Sequence, residues 1–131
     1  MKDMKGRNQC FTNLSHQVIG CAIEVHRALG PGLLESTYKG CLARELASAG
    51  ISFRLEAALP VNYKGEYLEC GYRVDMLIGD DLILELKSVE RLLPIHRAQI
   101  LTYMKLASAR HGLLINFNVP RLKEGLESFV L

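Results

Sequence analysis

Residues Tyr72 to Lys87 constrain this chain more than any other stretch. Two strongly β-forming runs are joined there by Gly79-Asp80-Asp81, which reads as the three-residue loop of a hairpin. Pairing Ile78 with Leu82 sets Leu77 against Ile83, Met76 against Leu84, and Asp75 directly opposite Glu85. Side chains alternate along a strand, so Leu82, Leu84 and Leu86 share one face with Val74, Met76 and Ile78, while Glu85 and Lys87 share the other. Directly opposed residues have Cβ atoms about 4.5–5.5 Å apart, and like charges at that distance destabilise the pair. A cation between them removes the penalty. Any half-exposed antiparallel strand also alternates apolar and charged residues. Here, however, the charged face carries Leu77 and Ile83 as well, so it is not plainly a water-facing surface. A two-residue loop would put Asp75 opposite Leu84 and reverse the relation of the faces.

Composition supplies bounds. At 131 residues and 49% apolar, the chain has material for one globular domain with a real core, spanning residues 1–131, with residues 1–11 a loose polar segment. A net charge of +2 advertises no basic field, so any nucleic-acid groove must be a local arrangement of Arg and Lys. No apolar run approaches a membrane span, and Met1 to Arg7 has no hydrophobic signal core behind it, which points to the cytoplasm. Cys10, Cys21, Cys41 and Cys70 form no CxxC pair, which argues against a zinc ribbon or dithiol site. They read as buried or semi-buried thiols of a reducing compartment.

Helical spacing of Leu14, Val18, Cys21, Ala22, Val25 and Leu29 predicts a first helix, capped by Thr12 or Asn13 and stopped by Gly30-Pro31. A second follows with the stripe Leu34, Tyr38, Cys41, Leu42 and Leu46, ending at Gly50. The runs Ile51 to Leu55, Leu59 to Tyr63, Tyr67 to Ile78 and Asp81 to Val89, with Lys64-Gly65 as a turn, predict a meander of strands. Pro94 opens a third helix to about Ser108, then come a buried strand at Leu113 to Phe117 and an edge strand within Gly125 to Leu131. That order predicts a mixed α/β domain.

Gly32-Leu33-Leu34-Glu35-Ser36-Thr37-Tyr38 matches the signature of the GxxExxY proteins, a small bacterial and archaeal family. From about Leu14 to Leu131 the chain resembles this minimal branch of the PD-(D/E)xK nuclease superfamily. The resemblance implies an α/β fold with a restriction-endonuclease-like core, a mixed β-sheet meander flanked by helices. Glu35 matches the family's helical acid, Asp75 its strand aspartate, and Glu85 with Lys87 its E-x-K pair. Gln99 and Tyr103 are similar to the Q-x-x-x-Y motif of recombination exonuclease domains. Arg73-Val74 stands where the superfamily's name has a proline, a variable position. Some members keep the fold and have lost activity.

The implied chemistry is metal-dependent phosphodiester hydrolysis, with DNA the expected substrate. Mg²⁺, or Mn²⁺ in its place, takes one or two carboxylates and keeps its other positions for water and phosphate. Asp75 and Glu85 fit that count, with Glu35 holding a metal-bound water or completing a second site. Lys87 would orient the attacking water and stabilise developing negative charge. As plain structure, Glu35 is a helix-start acid favoured by the macrodipole, and Tyr38 and Tyr103 are core-edge aromatics on apolar stripes. Gln99 shares a helix face with Tyr103 and is a candidate to contact phosphate or a bound water. Arg73, Arg97 and Tyr103 are the expected nucleic-acid contacts, with Arg54, Arg91 and Lys105 as further backbone-binding candidates. His16, His26, His96 and His111 have no metal-ligand spacing, though His96 stands near Gln99, and Glu24 reads as a solvent-facing acid. Alternatives are an inactive nuclease-fold module binding nucleic acid or protein, and a hydrolase of another phosphoester. The lysine beside two opposed acids favours catalysis. No targeting domain is evident, so a homodimer or a targeting partner is an expected source of recognition.

Overall fold

The computed structural model describes residues 12–131. The expectations for residues 1–11, including Cys10, lie outside them. Helix α1 (Asn13–Leu29) begins with a reciprocal cap: Thr12 Oγ1 accepts from the Ser15 amide and Ser15 Oγ accepts from the Thr12 amide, each at 3.0 Å. Val18, Cys21, Ala22 and Val25 are its buried stripe, while Leu29 in the last turn is exposed. Helix α2 (Glu35–Ser48) buries Tyr38, Leu42 and Leu46 completely. Leu34, expected on that stripe, is instead the residue that caps α2 and is 73% exposed. Gly50 takes a positive φ of 75° just past the helix, as the left-handed stop requires.

The main sheet has five strands in the order β1 (Phe53–Ala58), β4 (Arg73–Ile78), β5 (Leu82–Lys87), β6 (His111–Asn116) and β7 (Leu126–Val130). Among the described residues only β5 and β6 pair in parallel, and helix α3 (Pro94–Ala107) carries the crossover between them. One core cluster joins α1 and α2 to Met76, Ile78, Leu82, Leu84 and Leu86. A second joins Ile100 and Met104 of α3 to Leu77, Ile83 and Leu114. The sheet is therefore the middle of three layers. Gly112 of β6 lets α3 close on it, since a Cβ there would meet Met104 Sδ at 2.7 Å.

The expected register is present: Ile78 pairs with Leu82, Leu77 with Ile83 and Met76 with Leu84. Three other expectations need correction. The strands do not form one meander, because β2 (Val61–Tyr63) and β3 (Glu66–Leu68) make a separate hairpin while β1 pairs directly with β4. Lys64 and Gly65, both at positive φ, turn that hairpin tightly, and Gly71 at φ 82° breaks the strand predicted to run from Tyr67. Val74 packs in the α3-side cluster with Leu77 and Ile83, not beside Met76 and Ile78. Alternation fails there because the backbone pairing of β4 skips Asp75 on the β1 side and ends at Met76 on the β5 side. Lastly, Cys70 is exposed, outside the sheet core.

Candidate active site

Glu56 of β1, Asp75 of β4 and Glu85 of β5 stand across three neighbouring strands. Glu56 adopts a left-handed backbone, φ 53°, and neither neighbour of Asp75 pairs with it in the ladder. Side chains take over the missing bonds. The Asp75 amide donates to Glu85 Oε2 at 2.9 Å, and the Leu86 amide donates to Asp75 Oδ2 at 2.8 Å. The two carboxylates thus converge where the strands would otherwise have paired. Lys39 of α2 donates to Asp75 Oδ1 at 3.1 Å and also to Glu56 Oε2, neutralising the outer part of the row. Burial disfavours the Lys39 ammonium, but its bonds to Glu56 and Asp75 outweigh that and raise its pKa.

Glu85 is less fortunate. Only 6% exposed, its carboxyl is pushed up to about 7 by burial and then by the Asp75 charge, and Lys87 and Lys39 offset that only partly. Lys87 Nζ donates to Gln99 Oε1 at 3.4 Å, and Gln99 Nε2 donates to the Tyr103 hydroxyl at 3.2 Å. Gln99 and Tyr103 lie one turn apart on α3, so the helix aims an amide at the lysine and braces it with a phenol. Burial, then the nearby Glu85 charge, raises the Tyr103 pKa, so it stays a neutral hydroxyl. Asp75, Glu85, Lys87, Gln99 and Tyr103 are brought together.

Glu35 lies at the edge of this group. Its carboxylate accepts from the Ser88 amide at 3.3 Å, one residue beyond Lys87, while Ser88 Oγ donates to the Leu33 carbonyl at 2.6 Å. The start of α2 is docked onto the exit of β5. Among the described residues no three His, Cys, Asp or Glu side chains converge on one metal position, so Glu35 does not complete a three-carboxylate cluster with Asp75 and Glu85. The rest of its motif is a clamp. Gly32 supplies a φ of 98°, and the buried Tyr38 ring stacks on Phe117 with centroids 4.4 Å apart. The Tyr38 hydroxyl donates to the Gly30 carbonyl at 2.5 Å and accepts from the Leu33 amide at 3.1 Å. Tyr38 is core, as its apolar stripe indicated.

Other expected residues have different duties. Arg97 is held by both Glu127 oxygens, at 2.7 and 2.8 Å, so it ties α3 to β7 and is not a free nucleic-acid contact. His96 Nδ1 accepts from the Leu93 amide and finishes the start of α3. His26 bonds the Val119 carbonyl, His111 bonds Asp81, and Glu24 pairs with Arg27 in solvent. Arg73 is exposed at the start of β4 beside Tyr72. Sequence reasoning missed Lys39 and Glu56. Lys39 had a signal, since it stands four residues after Glu35 on one helix face. The kink that turns Glu56 toward Asp75 had none.

Two carboxylates and a lysine thus stand at a gap between adjacent strands of an α/β fold. The family model of the PD-(D/E)XK nuclease superfamily matches residues 12–129, and the chain belongs to that superfamily. No curated protein and no solved structure matches it.

Proposed function

We propose that this chain is a metal-dependent nuclease of the GxxExxY branch that hydrolyses phosphodiester bonds in DNA. The observation that carries the reading is Glu85: a buried carboxylate hydrogen-bonded to the Asp75 amide, held beside a second acid, with its pKa driven to about 7. The pair satisfies the Asp75 and Leu86 amides, but holding two charges together is unfavourable, and a cation relieves that repulsion. The donor set fits Mg²⁺ or Mn²⁺, which accept one or two carboxylates, so Asp75 and Glu85 would hold the ion. When bound, the ion supplies Lewis-acid polarisation of a phosphate oxygen and lowers the pKa of water.

The chain's own residues do the rest. Lys87 orients the attacking water and stabilises negative charge developing on the phosphate. Gln99 fixes Lys87 through its carbonyl oxygen, and Tyr103 fixes Gln99 in turn. Glu35, at the exit of β5, is positioned to hold a further water. Arg73 contacts backbone phosphate. Unpaired thiols at Cys21, Cys41 and Cys70 accord with a cytoplasmic location.

A second reading draws on Lys39, whose ammonium already engages Asp75: an inactive module that keeps the fold and binds nucleic acid. Incubating single- and double-stranded DNA and RNA with the protein in Mg²⁺ or Mn²⁺ separates the two. Cleavage that chelator and Lys87→Ala both abolish supports the nuclease, while metal-indifferent binding without cleavage supports the module.

A further inference from the structure

We propose that the cavity between α3 and the segment leading into β4 is a nucleobase pocket, which makes single-stranded nucleic acid the substrate. This rests on the nuclease reading and goes beyond it. The cavity, about 420 Å³, is lined by Tyr72, Ile95, Gln99, Thr102 and Tyr103 among others, and among the described residues no charged side chain lines it. Sites of roughly 300–1,000 Å³ take small planar ligands, so one base fits with room for its sugar. Tyr72 and Tyr103 offer rings tilted at 58° with centroids 6.3 Å apart. Thr102 and Gln99 add a hydroxyl and an amide for a base edge.

Two further observations choose the occupant. Gln99 is shared: it lines the cavity and accepts the Lys87 hydrogen bond at 3.4 Å, so a base seated there brings its phosphate toward the lysine. In addition, large apolar surface stands open around the mouth, with Tyr72 46% and Ile95 67% exposed. On the adjoining β2–β3 hairpin, whose Val61 helps line the cavity, Tyr63 and Tyr67 are also exposed. Exposed rings beside a phosphate-binding lysine suit sequence-tolerant stacking of an unpaired strand. A closed duplex keeps its bases stacked and would have to extrude one.

The test uses Glu85→Gln, which removes a proposed metal ligand so that bound strands stay uncut, and short DNA strands carrying 2-aminopurine, alone or annealed. Expected are preferential binding of the single strand and quenching of the probe by ring contact. Tyr72→Ala and Ile95→Ala in that background should each weaken single-strand binding, Tyr72→Ala by about tenfold. Equal affinity for both forms, or a Tyr72→Ala protein that binds like its parent, overturns the pocket. Cleavage by the otherwise unaltered chain keeps the two ideas distinct. Tyr72-dependent single-strand binding with no cleavage removes the nuclease and leaves the pocket. Metal-dependent cleavage of duplex that ignores Tyr72→Ala removes the pocket and leaves the nuclease.

Discussion

Glu85 has the most perturbed acid environment among the described residues, and its effect on stability has a definite sign. Its folded pKa of about 7 lies above the ordinary value of 4.5, so the folded state binds the proton more tightly. Stability is therefore highest below about pH 4.5 as far as this group is concerned, and it declines as pH rises toward 7, by on the order of 2–3 kcal/mol. Glu85→Gln should flatten that part of the profile and be the more stable protein at pH 8 in chelator, because an amide oxygen still accepts the Asp75 N–H. Asp75→Asn should gain less, because removing its charge relieves Glu85 but also costs a contact. It keeps an acceptor for Leu86 but weakens the Lys39 contact at 3.1 Å, at a cost of about 1 kcal/mol. Urea unfolding of the three proteins at pH 5 and pH 8 decides it, and a Glu85→Gln profile as steep as the parent's would show that Glu85 is not the group responsible. The β4–β5 ladder ends at Met76–Leu84, so Asp75 and Glu85 do not pair directly as expected, but their approach across the two strands was legible in the sequence from the hairpin's loop length. The cation on Asp75 was not, since Lys39 arrives from a helix whose docking no local pattern encodes.

Helix α2 shows why a sequence signature need not be wholly catalytic. Gly32 and Tyr38 build the loop clamp, and Glu35 docks the helix on the exit of β5, so all three signature positions serve architecture. Tyr38→Phe keeps the stack on Phe117 but leaves the Gly30 carbonyl and Leu33 amide without their partner. It should lose about 1–3 kcal/mol of stability, measured by urea titration, while well below its melting temperature it cleaves at nearly the parent rate. A rate collapse without loss of stability would instead place the phenol in the chemistry. Arg97→Ala gives a parallel check on α3: separating the helix from Glu127 should lower stability by about 1–2 kcal/mol and leave nucleic-acid affinity unchanged at equal folded fraction. Reduced affinity at full foldedness would restore Arg97 as a contact. Helices were read well because Thr12, Pro94 and the glycines punctuate them. That β2 and β3 stand apart from the main sheet was not legible, because their short exposed strands pair only with each other and alternation cannot say whether a strand joins the main sheet.

Across the whole molecule, two cores grip opposite faces of one sheet, and the candidate site lies where that sheet is locally unpaired. The α1–α2 side delivers Lys39 and Glu35, while the α3 side delivers Gln99 and Tyr103. Strand order depends on the parallel β5–β6 pairing and on β1 finding β4 across an inserted hairpin, long-range choices that period and turn residues leave open. Because strands from the middle layer carry both acids, relieving their repulsion should be felt by global unfolding. A cation bound only by the folded state adds about 2.7 kcal/mol at a hundredfold excess over its Kd. At pH 8 Glu85 is largely ionised and the parent's melting temperature should rise in millimolar Mg²⁺ or Mn²⁺. At pH 5.5 the ion must first displace the proton from Glu85, so the rise should shrink. Glu85→Gln should show little rise at either pH. Melting curves with metal and with chelator measure all of this. A parent whose unfolding ignores metal at both pH values, and which cuts no nucleic acid, would end the catalytic reading of the Asp75–Glu85 pair and leave the inactive binding module in its place.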